Sequence, residues 1–146
     1  MFRVPRCFLT VLRTLALALG LGSAVLAHAG VVVIAHPSVR KLDLQTVQRI
    51  YTGRMIEVDG VPVVPLHVPT GLAQRQRFLA DYLQQTEDAY TAYWTVRRYV
   101  GKGVPPREVW PLAHLLATVA STPGAIAYVD EADVPAGVGV HIVLRR

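Results

Sequence analysis

Five consecutive apolar residues, Val31–Ala35, constrain the fold of this chain more than any other feature. The first four are β-branched, and a His-Pro pair follows the run directly. A short continuous run of this type predicts a strand that is buried on both faces. Pro37 cannot donate to a strand ladder, so the strand should end before it. A helical pattern begins a few residues later. Strand, loop and helix in this order predict an α/β fold, in which ligands bind beyond the carboxyl ends of strands.

The first 29 residues predict a secretory signal peptide. They carry three early arginines, then an apolar run over residues 15–21, and they end in Ala27-His28-Ala29, a small-x-small cleavage pattern. A membrane anchor is the alternative, although the apolar run is shorter than the roughly 20 residues that a spanning helix needs. We expect cleavage after Ala29, export to the periplasm, and one domain over residues 30–146 with no membrane-spanning segment.

The charge of the exported part gives no indication of nucleic-acid binding. Three of the 15 basic residues and none of the ten acidic residues lie in the predicted leader, so residues 30–146 carry a formal net charge of +2. A nucleic-acid partner would require a dense basic stripe. The one cysteine, Cys7, also lies in the leader, so we expect no disulfide in the domain.

The exported part shows no pattern typical of an enzyme. It has no cysteine, no Gly-x-Ser-x-Gly elbow and no dinucleotide fingerprint. Its histidines are scattered and lack metal-ligand spacing; they are His36, His67, His114 and His141. An enzyme needs a nucleophile, a base or a metal in a pocket. We therefore predict no catalytic activity, no cofactor and no metal, and favour binding or interaction.

Periodicity and capping residues predict the remaining elements. Thr70 is a candidate cap for the second helix. The aromatic stripe of the third helix should belong to the core. We expect helices after Asp43, over residues 72–84, after Thr86 and after Pro111, and strands over residues 63–68, 125–129 and 140–144.

Four segments are distinctive in combination. They are Val-Val-Ile-Ala-His-Pro at 32–37, a helix ending Ile-Tyr-Thr-Gly-Arg at 50–54, the strand before Phe78, and Thr-Pro-Gly-Ala-Ile-Ala-Tyr-Val at 122–129. Together they resemble the substrate-binding proteins of phosphate ABC transporters, which have the type 2 periplasmic binding fold. That family commonly has a valine-rich strand ending Asn-Pro, a helix ending Ile-Phe-x-Gly-Lys, and Pro-Gly-Ala-Ile-Gly-Tyr-Val. The resemblance covers almost all of residues 30–146.

The resemblance implies a single lobe, because full-length members of the family have two lobes with the ligand between them. We therefore expect a small mixed sheet covered by about four helices. In the family, the loop before the second helix usually carries Arg, Asp and Ser-Gly-Thr for phosphate. With the register set by Phe78, those positions hold other residues in this chain: Val68, Thr70, Leu72, Ala73 and Gln74.

The first functional hypothesis is a periplasmic protein that binds phosphate or another small anion in ABC transport. The predicted anion site is formed by the hydroxyls of Ser38 and Thr70, the backbone amides of Gly71 and Leu72, and the guanidinium of Arg75. One half-site with few donors should bind weakly, because tight sites bury most of a ligand.

The second hypothesis is an interaction accessory that docks on a membrane sensor or transporter and has no tight small-molecule site. A missing second lobe would leave an apolar or aromatic face uncovered, and such faces often mark interfaces. The residues predicted for that face are Tyr93, Trp94 and Tyr99.

Overall fold

A five-stranded sheet forms the centre of the part of the chain that the computed structural model describes, residues 30–137 and 139–146. The predicted signal peptide lies outside the described residues. The strands are β1 (Val31–Ala35), β2 (Glu57–Val58), β3 (Val61–Pro62), β4 (Val64–His67), β5 (Arg107–Glu108), β6 (Ala125–Asp130) and β7 (His141–Leu144). The helices are α1 (Leu44–Tyr51), α2 (Ala73–Phe78), α3 (Glu87–Tyr99) and α4 (Leu112–Ser121).

The sheet is mixed, in the order β5-β4-β6-β1-β7. Strand β4 pairs in parallel with β5 and β6, whereas β1 pairs antiparallel with β6 and β7. Strand β1 therefore runs against the other four, and the loops after β1 and β4 leave from opposite ends of the sheet. A mixed sheet accompanied by four helices confirms the predicted α/β class.

Strand β1 lies at the centre of the hydrophobic core. All five of its residues are buried, and α2 and α4 each contact both β1 and β6. Because successive side chains of a strand point to opposite faces, burial of every residue means that both faces are covered. The prediction of a strand buried on both sides is confirmed.

Local capping signals explain where two helices begin. The Asp43 carboxylate accepts the Thr46 amide hydrogen at the start of α1. The Thr86 hydroxyl accepts the Ala89 amide hydrogen at the start of α3. Both helices were predicted at these positions, because an oxygen at the N-cap satisfies one of the free amides of the first turn.

The second helix differs from its prediction. Instead of one helix over residues 72–84, α2 continues directly into a π-helical turn, Leu79–Leu83, which ends at Gln84 in the left-handed conformation. The N-cap is Leu72, without a side-chain hydrogen bond. The predicted capping role of Thr70 is wrong, because its hydroxyl donates to Glu108 instead.

Candidate functional site

Ser38 lies just after β1 and connects this strand to the turn before β6. Its hydroxyl lies 2.8 Å from Nδ1 of His36 and accepts the Gly124 amide hydrogen at 2.9 Å. The same imidazole nitrogen accepts the Ser38 amide hydrogen at 3.0 Å. Of the residues predicted to hold an anion, Ser38 is therefore already bonded within the chain.

The other four predicted site residues follow β4, at the opposite end of the sheet from Ser38. The structure brings Thr70, Gly71, Leu72 and Arg75 into one turn and the start of α2. It separates Ser38 from them because β1 runs antiparallel to β6, whereas β4 runs parallel to it. The Leu72 amide hydrogen is directed to the Pro69 carbonyl, at 3.4 Å.

Arg75 is a buried cation whose charge is balanced within the protein. Only 6% of the residue is exposed. Its Nε and Nη2 donate to the two carboxylate oxygens of Glu87 at 2.8 and 2.7 Å. Its Nη1 donates to Oε1 of Glu108 at 2.7 Å and to the Val68 carbonyl at 3.1 Å. Burial alone would lower the pKa of Arg75, but the hydrogen bonds and charge of Glu87 raise it above its ordinary value.

One carboxylate oxygen occupies the position where an anion was predicted. Oε1 of Glu108 accepts both from Nη1 of Arg75 and from the Thr70 hydroxyl, the latter at 3.1 Å. The Glu108 side chain is 47% exposed and belongs to the edge strand β5. Two donors that converge on one oxygen form an anion subsite, and its occupant here is a side chain of the same protein.

A neutral histidine lies in the core behind this turn. The Nδ1 and Nε2 atoms of His67 each lie 2.8 Å from a tyrosine hydroxyl, of Tyr128 and Tyr90 respectively. The Tyr90 hydroxyl donates to the Tyr51 carbonyl at 2.8 Å, so it accepts from Nε2–H of His67. Nδ1 then accepts from Tyr128. Burial, with a smaller contribution from the Arg75 charge, lowers the pKa of His67 to about 3.

The ring contacts of His67 assign it a structural role. It packs against Tyr51, Phe78, Tyr90 and Tyr128. Across residues 30–137 and 139–146, no group of three or more His, Cys, Asp or Glu residues is arranged to hold a metal ion. The spacing of the histidines indicated no metal site at His67, but nothing local to it indicated its tyrosine partners, which lie 23 and 61 residues away.

Of the three aromatic residues predicted for an uncovered face, only Tyr99 is exposed. Trp94 is buried in the core, and the Tyr93 hydroxyl donates to the Thr52 carbonyl at 2.8 Å. Tyr99, by contrast, is 93% exposed. The prediction that the aromatic stripe of α3 belongs to the core is confirmed at Tyr90 and Trp94, which are both buried.

Two open grooves flank α1. One is polar, with a volume of about 480 Å³, and is lined by Gln45, Gln48, Arg49, Thr52, Arg54, Leu83, Gln84, Gln85 and Tyr93. The other is apolar, with a volume of about 390 Å³, and lies between the segments that flank the β2–β3 hairpin and the loop that follows α3. Its walls include Ile56 and Val104, which are 78% and 70% exposed. Sequence reasoning identified neither groove, because each is assembled from segments distant in the chain.

Comparison with known proteins relates the chain to a solved structure by fold alone. No protein-family model matches the chain, and no curated protein matches it. Among solved structures, it is similar to an ABC-type phosphate transport receptor from Vibrio cholerae, with 11% sequence identity and a TM-score of 0.54. The match covers 78% of this chain and 45% of the receptor, so the chain corresponds to less than half of the receptor's length. At this identity the likeness establishes the fold alone.

In the described part of the chain, no helix combines the length and the apolar character needed to cross a membrane.

Proposed function

We propose that this protein is a periplasmic, solute-binding-like lobe that takes up phosphate or another small anion as part of ABC transport. The fold shared with part of a phosphate transport receptor supports the class of function. The observation that carries the anion proposal is the convergence of Thr70 and Arg75 on one oxygen of Glu108. A phosphate or sulfate oxygen has the charge and acceptor geometry to replace that carboxylate oxygen.

Exchange with Glu108 is the proposed mechanism of binding. Glu108 is half exposed on a two-residue edge strand, so its side chain can move into water. Its departure frees two donors, one of which carries a charge that Glu87 continues to orient. The backbone of Gly71 and Leu72 lies in the same turn. Ser38 is at the opposite end of the sheet and is not part of this proposal. Binding should be weak, because a single lobe leaves the anion open to solvent.

Calorimetric titration with phosphate and sulfate tests this mechanism. Glu108→Ala removes the internal competitor, so it should strengthen phosphate binding about tenfold, the equivalent of about 1.4 kcal/mol and of one charge-assisted hydrogen bond. Glu57→Ala, which removes an exposed acid from the hairpin, is the matched control and should change little. Equal strengthening by both variants would reveal a net-charge effect. The absence of heat from wild type and Glu108→Ala at millimolar anion would refute anion binding.

A second function is an accessory that docks on a membrane sensor or transporter and has no tight small-molecule site. The observation that favours it is that two carboxylates, of Glu87 and Glu108, already more than neutralise the single charge of Arg75. Under this function, neither wild type nor Glu108→Ala binds phosphate.

We also propose that the protein is exported, that its leader is cleaved after Ala29, and that residues 30–146 form a single domain. It is supported by the signal-peptide pattern of residues 1–29 and by the start of β1 at Val31, two residues beyond the predicted cleavage position. N-terminal sequencing of the protein from the periplasmic fraction should find Gly30 as the first residue. Retention of Met1 would contradict cleavage.

A further inference from the structure

The apolar groove exposes large apolar side chains. Its volume of about 390 Å³ falls within the usual range for binding pockets, about 300–1,000 Å³. Three of its apolar residues, Ile56, Val64 and Val104, are large and exposed. The remaining apolar lining consists of Ile50, Met55, Val63, Pro65, Trp94, Pro105 and Pro106.

Further apolar side chains are exposed in the segment that leads into the groove. The last turn of α3 exposes Val96 and Tyr99, its C-cap Val100 is also exposed, and the chain then runs into the loop that forms one wall of the groove. Soluble monomeric proteins rarely expose contiguous apolar patches of this kind unless the patch serves binding. The groove is therefore the candidate docking face, whereas Val96, Tyr99 and Val100 do not line it.

The charged residues that line the groove have one sign. Lys102 and Arg107 line the groove, and Arg98 lines a smaller cavity that shares Trp94 with it. Neither the groove nor the smaller cavity is lined by an Asp or Glu residue among those described. An apolar floor with a cationic rim is complementary to apolar side chains that are flanked by carboxylates.

We infer that this groove binds a segment of a partner protein in which apolar side chains alternate with acidic ones. The inference rests on the second proposed function, the docking accessory, and gives that function a surface and a partner chemistry. A second copy of this chain is a poorer occupant, because an isologous contact through the groove would bring the same cations of both copies together.

Titration of the full domain with short synthetic peptides tests the inference. The probe is a peptide in which leucine alternates with aspartate; in one control peptide lysine replaces aspartate, and in another serine replaces leucine. Calorimetry measures affinity, and the indole N–H resonance of Trp94 reports whether the groove is the site. We expect binding of the leucine–aspartate peptide alone, with a shift of the Trp94 resonance.

Surface variants then assign the contact. Ile56→Ser and Val104→Ser should each weaken peptide binding about tenfold, as truncation of a central apolar contact usually does. Val96→Ser is the matched apolar control, since Val96 is exposed but does not line the groove. Lys102→Glu and Arg107→Glu should weaken binding, whereas Lys41→Glu, an exposed cation elsewhere, should not. All substituted positions are at the surface, and a thermal melt confirms folding.

Four results would overturn the inference. They are no binding at millimolar peptide, equal binding of the lysine peptide, tighter groove-dependent binding to phosphatidylglycerol vesicles, and self-association that Ile56→Ser abolishes. The anion proposal fails separately, because Ile56→Ser and Val104→Ser carry no charge change and should leave any phosphate titration unchanged. A fifth result would also overturn the inference but leave the docking accessory standing: weaker peptide binding with Val96→Ser and unchanged binding with the groove variants.

Discussion

Gly124 is a residue at which three parts of the fold meet. It adopts a positive φ of 79° immediately before β6. Its amide hydrogen is donated to the Ser38 hydroxyl, and its carbonyl accepts the Val64 amide hydrogen at 2.9 Å. A Cβ added here would collide with the Pro62 carbonyl oxygen. Glycine is therefore required for two reasons: the backbone has a positive φ, and there is no room for a Cβ.

Substitution of Gly124 by alanine separates these two requirements when Gly60 serves as a control. Gly60 has nearly the same φ, 80°, but no atom lies within 4 Å of its added Cβ. Gly60→Ala should lower the free energy of unfolding by about 1–2 kcal/mol through the left-handed conformation. Gly124→Ala should lower it by about 2 kcal/mol more, through the steric clash. Urea denaturation measures both, and equal losses would contradict the crowding argument.

At the scale of elements, Arg75 ties α2 to α3 and to β5. Its guanidinium bonds Glu87 in the first turn of α3 and Glu108 on the edge strand. Strand β5 has only two residues, so side-chain contacts contribute much of what holds it in place. Because Arg75 is buried, its removal leaves two carboxylates without their common partner.

Arg75→Met tests this tie, with Arg77→Met as the matched control on the same helix. Arg77 is partly exposed and pairs with Asp130 at 2.7 Å. Loss of Arg75 should lower the free energy of unfolding by about 2–4 kcal/mol, because the pair is buried on one side only. Loss of Arg77 should lower it by less than about 1 kcal/mol, as is usual for surface ion pairs. Similar midpoints in chemical denaturation of the two variants would contradict the role of Arg75.

These elements also show what sequence can predict and what it cannot. The starts of α1 and α3 were predictable because the capping oxygens of Asp43 and Thr86 lie three residues from the amides that they satisfy. The capping of α2 was not, because the partner of Thr70 is Glu108, which is 38 residues away. The direction of β1 depends on pairing with β6 and β7, far along the chain, so the separation of Ser38 from the Arg75 turn could not be predicted locally.

At the scale of the whole molecule, the His67 cluster joins four elements. His67 ends β4, Tyr90 belongs to α3, Tyr128 to β6, and the Tyr90 hydroxyl continues to the last residue of α1. A protonated imidazole would donate from both nitrogens, so the Tyr128 hydroxyl would have to turn its hydrogen away from Nδ1 and give up the bond that it now donates. Protonation of one buried ring would therefore disturb the contacts between all four elements, so the cluster links the stability of the whole domain to pH.

The pKa of His67 predicts acid destabilisation of the whole domain. It is about 3 in the folded state, against an ordinary 6.5 in the unfolded chain. The unfolded state therefore binds more protons between these values, and stability is full above about pH 6.5 and decreases as pH falls towards 3. Each pH unit in that window removes about 1.4 kcal/mol of the free energy of unfolding.

His67→Gln keeps a donor and an acceptor but does not titrate, so it should lose this slope in urea denaturation between about pH 7.5 and 4.5. Parallel pH profiles for wild type and variant would show that His67 does not control acid stability, whereas a flat variant profile would assign the acid sensitivity to this one imidazole.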